Sequence, residues 1–231
     1  MLKINRPIPG DRIKLLIFDL DGTLVDSRID LASSVNAMLR WMNRAELPCD
    51  VIATYIGDGA PMLIRRALGD PDEEHLVTQA LEYFMKYYRE HLLDTTYVYP
   101  GTIDVLQQLQ HGTNGTQRQM AVLSNKPVGP SRRIVTGLGM EKFFFQVYGG
   151  NSFHTKKPDP HGAFELMKEA GVTAEETVII GDSNNDVLTA RNSGAYSVGL
   201  TYGLAPHSLE AAPPDVLVDK PEEMLAALNR G

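Results

Sequence analysis

The sequence predicts an α/β protein: a doubly wound parallel sheet with an all-helical segment inserted after its first strand. Three observations predict it. The runs Leu15-Leu16-Ile17-Phe18, Met120-Ala121-Val122-Leu123 and Val178-Ile179-Ile180 are apolar throughout, as strands covered on both faces are. From Tyr99-Pro100-Gly101 onward, strand and helix patterns alternate, which implies parallel strands joined by crossover helices. Between Phe18 and Tyr99, about seventy residues carry helical periodicity with no convincing strand.

In chain order, the first strand ends in Asp19-Leu20-Asp21-Gly22-Thr23. From Arg28 to Met42, Leu31, Ala32, Val35, Met38, Leu39 and Met42 share one helical face, with Ser27 or Asp26 as the expected N-cap. Pro48 and Asp50 open a short helix that stops near Gly57-Asp58-Gly59. The next helix carries Met62, Leu63, Ile64, Ala67 and Leu68, and Gly69 closes it. Asp70-Pro71 starts a longer helix with the stripe Leu76, Ala80, Tyr83, Phe84, Tyr87 and Tyr88, read as the core of a helical bundle. Beyond Gly101, a helix with Ile103, Leu106 and Leu109 leads through a polar loop, His111 to Arg118, into the second apolar strand. A helix over Ser131–Leu138 ends at Gly139, and Phe145 to Tyr148 reads as a short strand. Pro160 opens a helix at the position a proline tolerates best, and Gly171 stops it. Thr173 and Glu176 form a capping-box pattern before Val178–Ile180. A helix over Asn185–Ser193 ends at Gly194, and Tyr196 to Leu200 and Val216 to Val218 are the last strands.

Composition narrows the function. Of 231 residues, 43% are hydrophobic and 22% charged, ordinary for a globular protein. The net charge of −7 argues against nucleic-acid binding, which needs a basic surface. The single cysteine, Cys49, cannot form an internal disulfide and has no cysteine-enzyme motif around it. No apolar run approaches the ~18 residues of a membrane helix, and residues 1–13 lack an apolar signal core, so a cytoplasmic location with no membrane partner is expected.

Four strand ends carry polar groups, and ligands bind beyond the carboxyl ends of strands in such sheets. Asp19 and Asp21 lie two residues apart and point in a common direction if the strand continues; one can attack or ligate while the other handles a proton. Ser124-Asn125 offers a hydroxyl and an amide to a phosphate or developing oxyanion. In Lys156-Lys157-Pro158-Asp159-Pro160, the prolines fix the backbone so that a lysine is held at a set distance. Gly181-Asp182-Ser183-Asn184-Asn185-Asp186 places two more carboxylates four residues apart. Carboxylates without thiolates or spaced histidines suit a hard cation, Mg²⁺ in particular.

Together these motifs resemble the haloacid dehalogenase superfamily in its phosphatase branch, over nearly the whole chain: Asp19-Leu20-Asp21-Gly22-Thr23, Ser124-Asn125, Lys157-Pro158-Asp159-Pro160 and Gly181–Asp186, in that order. The helical insertion is similar to the small cap of the subgroup containing phosphoglycolate phosphatase and β-phosphoglucomutase. The resemblance implies a Rossmann-like core over residues 1–25 and 97–231 and a helical cap over 26–96. It implies Asp19 as nucleophile, forming an aspartyl phosphate, and Asp21 as acid and then base. It further implies Mg²⁺ on Asp19, the Asp21 carbonyl and Asp182, with Ser124, Asn125 and Lys157 on the phosphate. Asp186 is expected to orient a metal-bound water or Lys157.

Asp21 favours phosphate transfer, since dehalogenases of this fold lack the second aspartate. The cap run Tyr55-Ile56-Gly57-Asp58-Gly59-Ala60 is similar to a phosphoglycolate phosphatase specificity loop. Arg65 or Arg66 is a candidate for a substrate carboxylate, whereas Asp58 would repel one. The expected activity is hydrolysis of a small phosphorylated metabolite, 2-phosphoglycolate first, by a monomer or homodimer. A β-phosphoglucomutase-like transferase, a pyrophosphatase and a phosphate-responsive binding protein are the alternatives.

Overall fold

Strand β2 (Leu15–Phe18) is fully buried and sits near the middle of a seven-stranded sheet. In this computed structural model, which describes residues 2–112, 115 and 117–228, the sheet contains β1 (Lys3–Ile4), β2, β5 (Gln119–Leu123), β6 (Gln146–Tyr148), β7 (Thr177–Gly181), β8 (Tyr196–Leu200) and β9 (Val216–Val218). Their order is β1-β9-β8-β7-β2-β5-β6, and every pair is parallel except β1 with β9. Side chains alternate across the sheet, as strand geometry requires. Leu15, Ile17, Ala121, Leu123 and Ile179 face α7 (His161–Ala170) and α8 (Asn184–Ser193). Leu16, Phe18, Met120, Val122 and Ile180 join the larger core, with buried residues of α5 (Thr102–Leu109), α6 (Val128–Gly137) and α9 (Glu223–Leu228). The sheet is therefore covered by helices on both faces.

Between β2 and α5 the chain forms α1 (Arg28–Trp41), α2 (Cys49–Ala53), α3 (Ala60–Ala67) and α4 (Glu74–His91). Their buried residues, Leu31, Val35, Leu63, Ile64, Phe84 and Tyr88 among them, belong to the larger core. The two ends of this insertion are tied together by an antiparallel ribbon that the sequence did not announce, β3 (Val25–Asp26) against β4 (Tyr97–Val98). Two residues per strand are too few for a period to register. Beside it, the buried Asp30 carboxylate accepts bonds from the backbone and hydroxyl of both Thr95 and Thr96, at 2.5–3.1 Å. Burial opposes the charge on Asp30, but these donors outweigh it and hold its pKa below the usual carboxylate value.

Several element boundaries differ from the sequence reading. Helix α4 starts at Glu74, and Val77 joins its buried face while Tyr83 and Tyr87 are only half-buried. Helix α6 starts at Val128, directly after Pro127. Ser27 precedes α1 without a side-chain capping bond, because its hydroxyl is engaged elsewhere; Asp26 Oδ1 accepts from Arg28 N instead. The Thr173–Glu176 capping box forms as expected, on a 3-10 turn at Ala174–Glu176. Within the polar loop His111–Arg118, residues 113, 114 and 116 lie outside the described residues. Among the described residues, no helix is long and apolar enough to cross a membrane.

Candidate active site

The parallel register brings the ends of β2, β5 and β7 level, with Phe18 opposite Val122 on one side and Ile180 on the other. Asp19, Ser124 and Asp182 follow those ends and are all buried. Strand β2 does not continue through its aspartates. The backbone folds back so that Leu24 N and Val25 N both donate to the Leu20 carbonyl, and Gly22 takes φ +83°. Glycine is required there twice over, because a Cβ at Gly22 would lie 2.2 Å from Asp182 Oδ2. The two carboxylates consequently meet different partners.

Asp19 faces Lys157, whose Nζ lies 3.0 Å from Asp19 Oδ1 and 2.5 Å from Asp186 Oδ1. Although close to that ammonium, Oδ1 of Asp19 is buried and receives no well-directed hydrogen bond. Asp19, Asp182 and Asp186 each present a carboxylate oxygen within 4.8 Å of the others. Burial pushes the Asp19 pKa up from 3.8 to about 6, against the pull of Lys157 and with the repulsion of Asp186. Burial, then Asp19 and Asp186, push Asp182 to about 8. Burial disfavours the Lys157 charge, but Asp186 and Asp19 overcome it and hold this lysine above its ordinary range. Three buried acids with one lysine, and an acceptor oxygen left without a donor, fit a hard divalent cation.

Asp182 is positioned by the loop after β8. Leu204 N and Ala205 N donate to its Oδ2 at 2.6 and 3.0 Å, and Gly203 packs so closely that a Cβ would sit 2.2 Å from the Asp182 Cβ. Asp186 caps its own helix, accepting from Ser183 N and Oγ at 3.1 and 2.7 Å while its other oxygen holds Lys157. Of the two roles expected for Asp186, orienting Lys157 is the one the geometry displays.

Asp21 has partners outside this cluster. It accepts from Ser27 Oγ at 2.5 Å and from Lys126 Nζ at 2.9 and 3.0 Å. Lys126 is buried and lies 4.7 Å from the centre of the Tyr88 ring. Sequence reasoning missed both Ser27 and Lys126. The available signal for Lys126 was its place two residues beyond Ser124, at a strand end already marked as functional.

Over the strand ends sits a cavity of about 40 Å³, lined by Asp19, Asp21, Ser124, Asn125 and Lys126 from below. Leu31, Ile56, Leu63, Phe84 and Met85 form apolar walls, and Gly57 and Gly59 the rim. The Gly57–Gly59 loop is fastened to the strand ends from three sides. Asn125 Nδ2 donates to the Gly57 carbonyl at 3.0 Å, Lys156 Nζ to the Asp58 carbonyl at 2.5 Å, and Asn185 Nδ2 to Asp58 Oδ1 at 2.8 Å. A Cβ at Gly59 would meet the Asn125 carbonyl at 2.7 Å.

The cap arginines do not reach this cavity. Arg65 is turned to the Pro71 carbonyl and pairs with Glu74 and Asp70. Arg66 pairs with Asp58 at 2.5 Å and donates to the Tyr55 carbonyl. Asp58 itself is not on the cavity wall; burial opposes its charge, but Asn185 and Arg66 hold its pKa down. The cap candidates, Arg65 or Arg66 for a substrate carboxylate and Asp58 as a repelling charge, are all engaged in pairs within the chain. Side-chain direction along a short helix depends on neighbours that periodicity does not reveal.

The profile of the haloacid dehalogenase-like hydrolases matches residues 16–200. A phosphoglycolate phosphatase of Pseudomonas putida is 38% identical over 220 residues, covering 91% of this chain and 78% of its own. The phosphoglycolate phosphatase of Colwellia psychrerythraea is 39% identical, covering 82% of this chain and 85% of its own. The crystal structure of a predicted phosphoglycolate phosphatase from Haemophilus somnus superposes with a TM-score of 0.85 at 32% identity, covering 93% of this chain and 97% of that one.

Proposed function

The chain belongs to the haloacid dehalogenase-like hydrolases, and from that premise we propose that it is a Mg²⁺-dependent phosphatase that hydrolyses 2-phosphoglycolate through an aspartyl phosphate. The observation that carries this reading is the separation of the two aspartates. Asp19 shares its surroundings with Lys157 and the acids Asp182 and Asp186, while Asp21 stands apart on Ser27 and Lys126. A nucleophile and a proton carrier need such different surroundings.

Asp19 Oδ attacks phosphorus, the ester P–O bond breaks, and Asp21 gives its proton to the departing alcohol oxygen. A water then loses a proton to Asp21 and attacks phosphorus, the bond to Asp19 breaks, and inorganic phosphate leaves. Lys157 and Ser124 hold the phosphoryl oxygens, and the Asn125 side chain fixes the Lys157 carbonyl at 3.0 Å as well as the cap loop. Mg²⁺ would be held by Asp19, Asp182 and the Asp21 carbonyl, and bound there it neutralises phosphate charge that otherwise repels a carboxylate nucleophile. The division into a catalytic sheet, residues 1–25 and 97–231, and a specificity-giving helical cap, 26–96, belongs to the same proposal.

The small cavity favours the hydrolase over the mutase. The cavity of about 40 Å³ lies well below the roughly 300–1,000 Å³ of larger ligand sites. A site of that size favours a small ester over a hexose phosphate. The test is a Mg²⁺-supplemented panel of phosphoglycolate, hexose phosphates, nucleotides and pyrophosphate ranked by kcat/KM. Phosphoglycolate is expected first; a hexose phosphate isomerised faster than it is hydrolysed would replace this reading by the mutase.

A further inference from the structure

We propose that Lys126, with Tyr88 beside it, is the specificity site that selects esters bearing a second anion next to the phosphate. The proposal rests on the phosphoglycolate reading and deepens it. The cap supplies no cation to the cavity, since Arg65 and Arg66 are both spent on carboxylates and carbonyls within the helical segment. Among the residues lining the cavity, Lys126 alone is cationic, and the walls around it are apolar. An anion entering between Leu31, Phe84 and Met85 therefore has one charge partner on the wall. In such surroundings a charge-assisted hydrogen bond is worth more than in water.

The ammonium is also held ready. Lys126 follows the Ser124 strand end, donates its backbone N–H to Ser124 Oγ at 3.3 Å, and rests over the Tyr88 ring. Tyr88 is stacked on Phe84 with ring centres 5.5 Å apart, and its buried hydroxyl, close to the Lys126 ammonium, makes no well-directed hydrogen bond. A cavity-lining residue with an unused buried hydroxyl, next to a lysine, is a second donor for the same anion. The present partner of Lys126 is Asp21, with both carboxylate oxygens within 3.0 Å. A substrate carboxylate competes with Asp21 for this ammonium. Capture of Lys126 by substrate releases Asp21 from one of its two tethers, leaving it free to turn toward the leaving oxygen. A ligand with no second anion leaves the tether in place.

The experiment compares phosphoglycolate with 2-hydroxyethyl phosphate, which carries a hydroxymethyl group where the other has a carboxylate. The readouts are kcat/KM and the rise in Tm produced by each ester in the presence of Mg²⁺. In the wild type both favour phosphoglycolate. Lys126→Met is expected to shrink the kcat/KM ratio between the two esters by on the order of 10- to 100-fold, and Tyr88→Phe by roughly 3- to 10-fold, the range for losing a charged and a neutral hydrogen bond. The preferential Tm rise disappears in Lys126→Met. An unchanged ratio in both variants, with both esters slowed alike, assigns Lys126 to the chemistry common to all esters and overturns the proposal. If Lys126→Met fails to unfold cooperatively, Tyr88→Phe decides by the same ratio. A wild type that hydrolyses neither ester removes the phosphoglycolate reading, and the Tm preference and its loss in Lys126→Met then decide on Lys126 by themselves. A wild type that prefers neither ester in rate or in Tm overturns the proposal, even where another phosphomonoester is turned over.

Discussion

The strand ends and the helical segment above them build their shared cavity in opposite ways. Below, the functional side chains are buried or nearly so and each is held by charged or hydrogen-bonding partners: Lys157 between Asp19 and Asp186, Asp182 under the Leu204 and Ala205 amides, Asp21 between Ser27 and Lys126. Above, the walls are apolar and the loop Gly57–Gly59 is gripped largely through its backbone carbonyls by Asn125 and Lys156. Bonds to backbone do not depend on which side chains the loop carries. A cap fastened this way can change its substrate-facing residues while its docking stays the same, whereas a change below disturbs charges that have no water to fall back on. The lower region therefore tolerates change less than the upper one.

The sharpest break of that contrast is Asp19→Asn, which removes the proposed nucleophile while keeping the shape. Loss of turnover on the order of 10⁴-fold is expected, with thermal unfolding still cooperative. Asp21→Asn is expected to cost about 10²- to 10⁴-fold in kcat, as loss of a positioned acid–base does. Rates near wild type in that variant would remove Asp21 from the mechanism.

The third prediction concerns pH and the metal. Asp19 at about 6 and Asp182 at about 8 both lie above 3.8, so between those limits the folded metal-free protein holds more protons than the unfolded chain. The contribution of these two groups to stability is therefore present at low pH and lost as pH rises from about 4 to about 8. Because Mg²⁺ needs the ionised carboxylates, the Tm increase it gives should grow over the same range. Asp182→Asn should raise the metal-free Tm at pH 8 and abolish the Mg²⁺ response. A Mg²⁺ increment larger at pH 6 than at pH 8 would contradict the assignment.

Smaller effects belong to the cap. Asn185→Ala, which frees Asp58 on one side, is expected to raise KM by roughly 3- to 10-fold with kcat less affected, as befits one docking hydrogen bond. Arg65→Ala is expected to change kcat/KM less than twofold and stability by about 0.5 kcal/mol or less, because its pairs are exposed and remote from the cavity. A large loss of phosphoglycolate hydrolysis in Arg65→Ala would mean the cap rearranges on substrate binding.

The core elements were legible because burial on both faces leaves a continuous apolar run, and Leu15–Phe18, Met120–Leu123 and Val178–Ile180 are such runs. The β3–β4 ribbon, β1 and α9 were not, being too short to carry a period. Asp19, Ser124, Lys157 and Asp182 were legible as polar residues placed where strands or proline-fixed loops end.

By itself, the sequence determined the parallel sheet, the helical insertion and the residue types waiting at the four strand ends. Local pattern decides these, since apolar periodicity and glycine or proline punctuation act over neighbouring residues. Only the tertiary structure decided that Asp19 and Asp21 part company, that Lys126 takes the second aspartate, and that Arg65 and Arg66 turn inward to the cap's own acids. Those outcomes depend on which charges meet across 8 to 138 residues of chain, and a buried ammonium goes to whichever carboxylate the packed fold brings within about 3 Å.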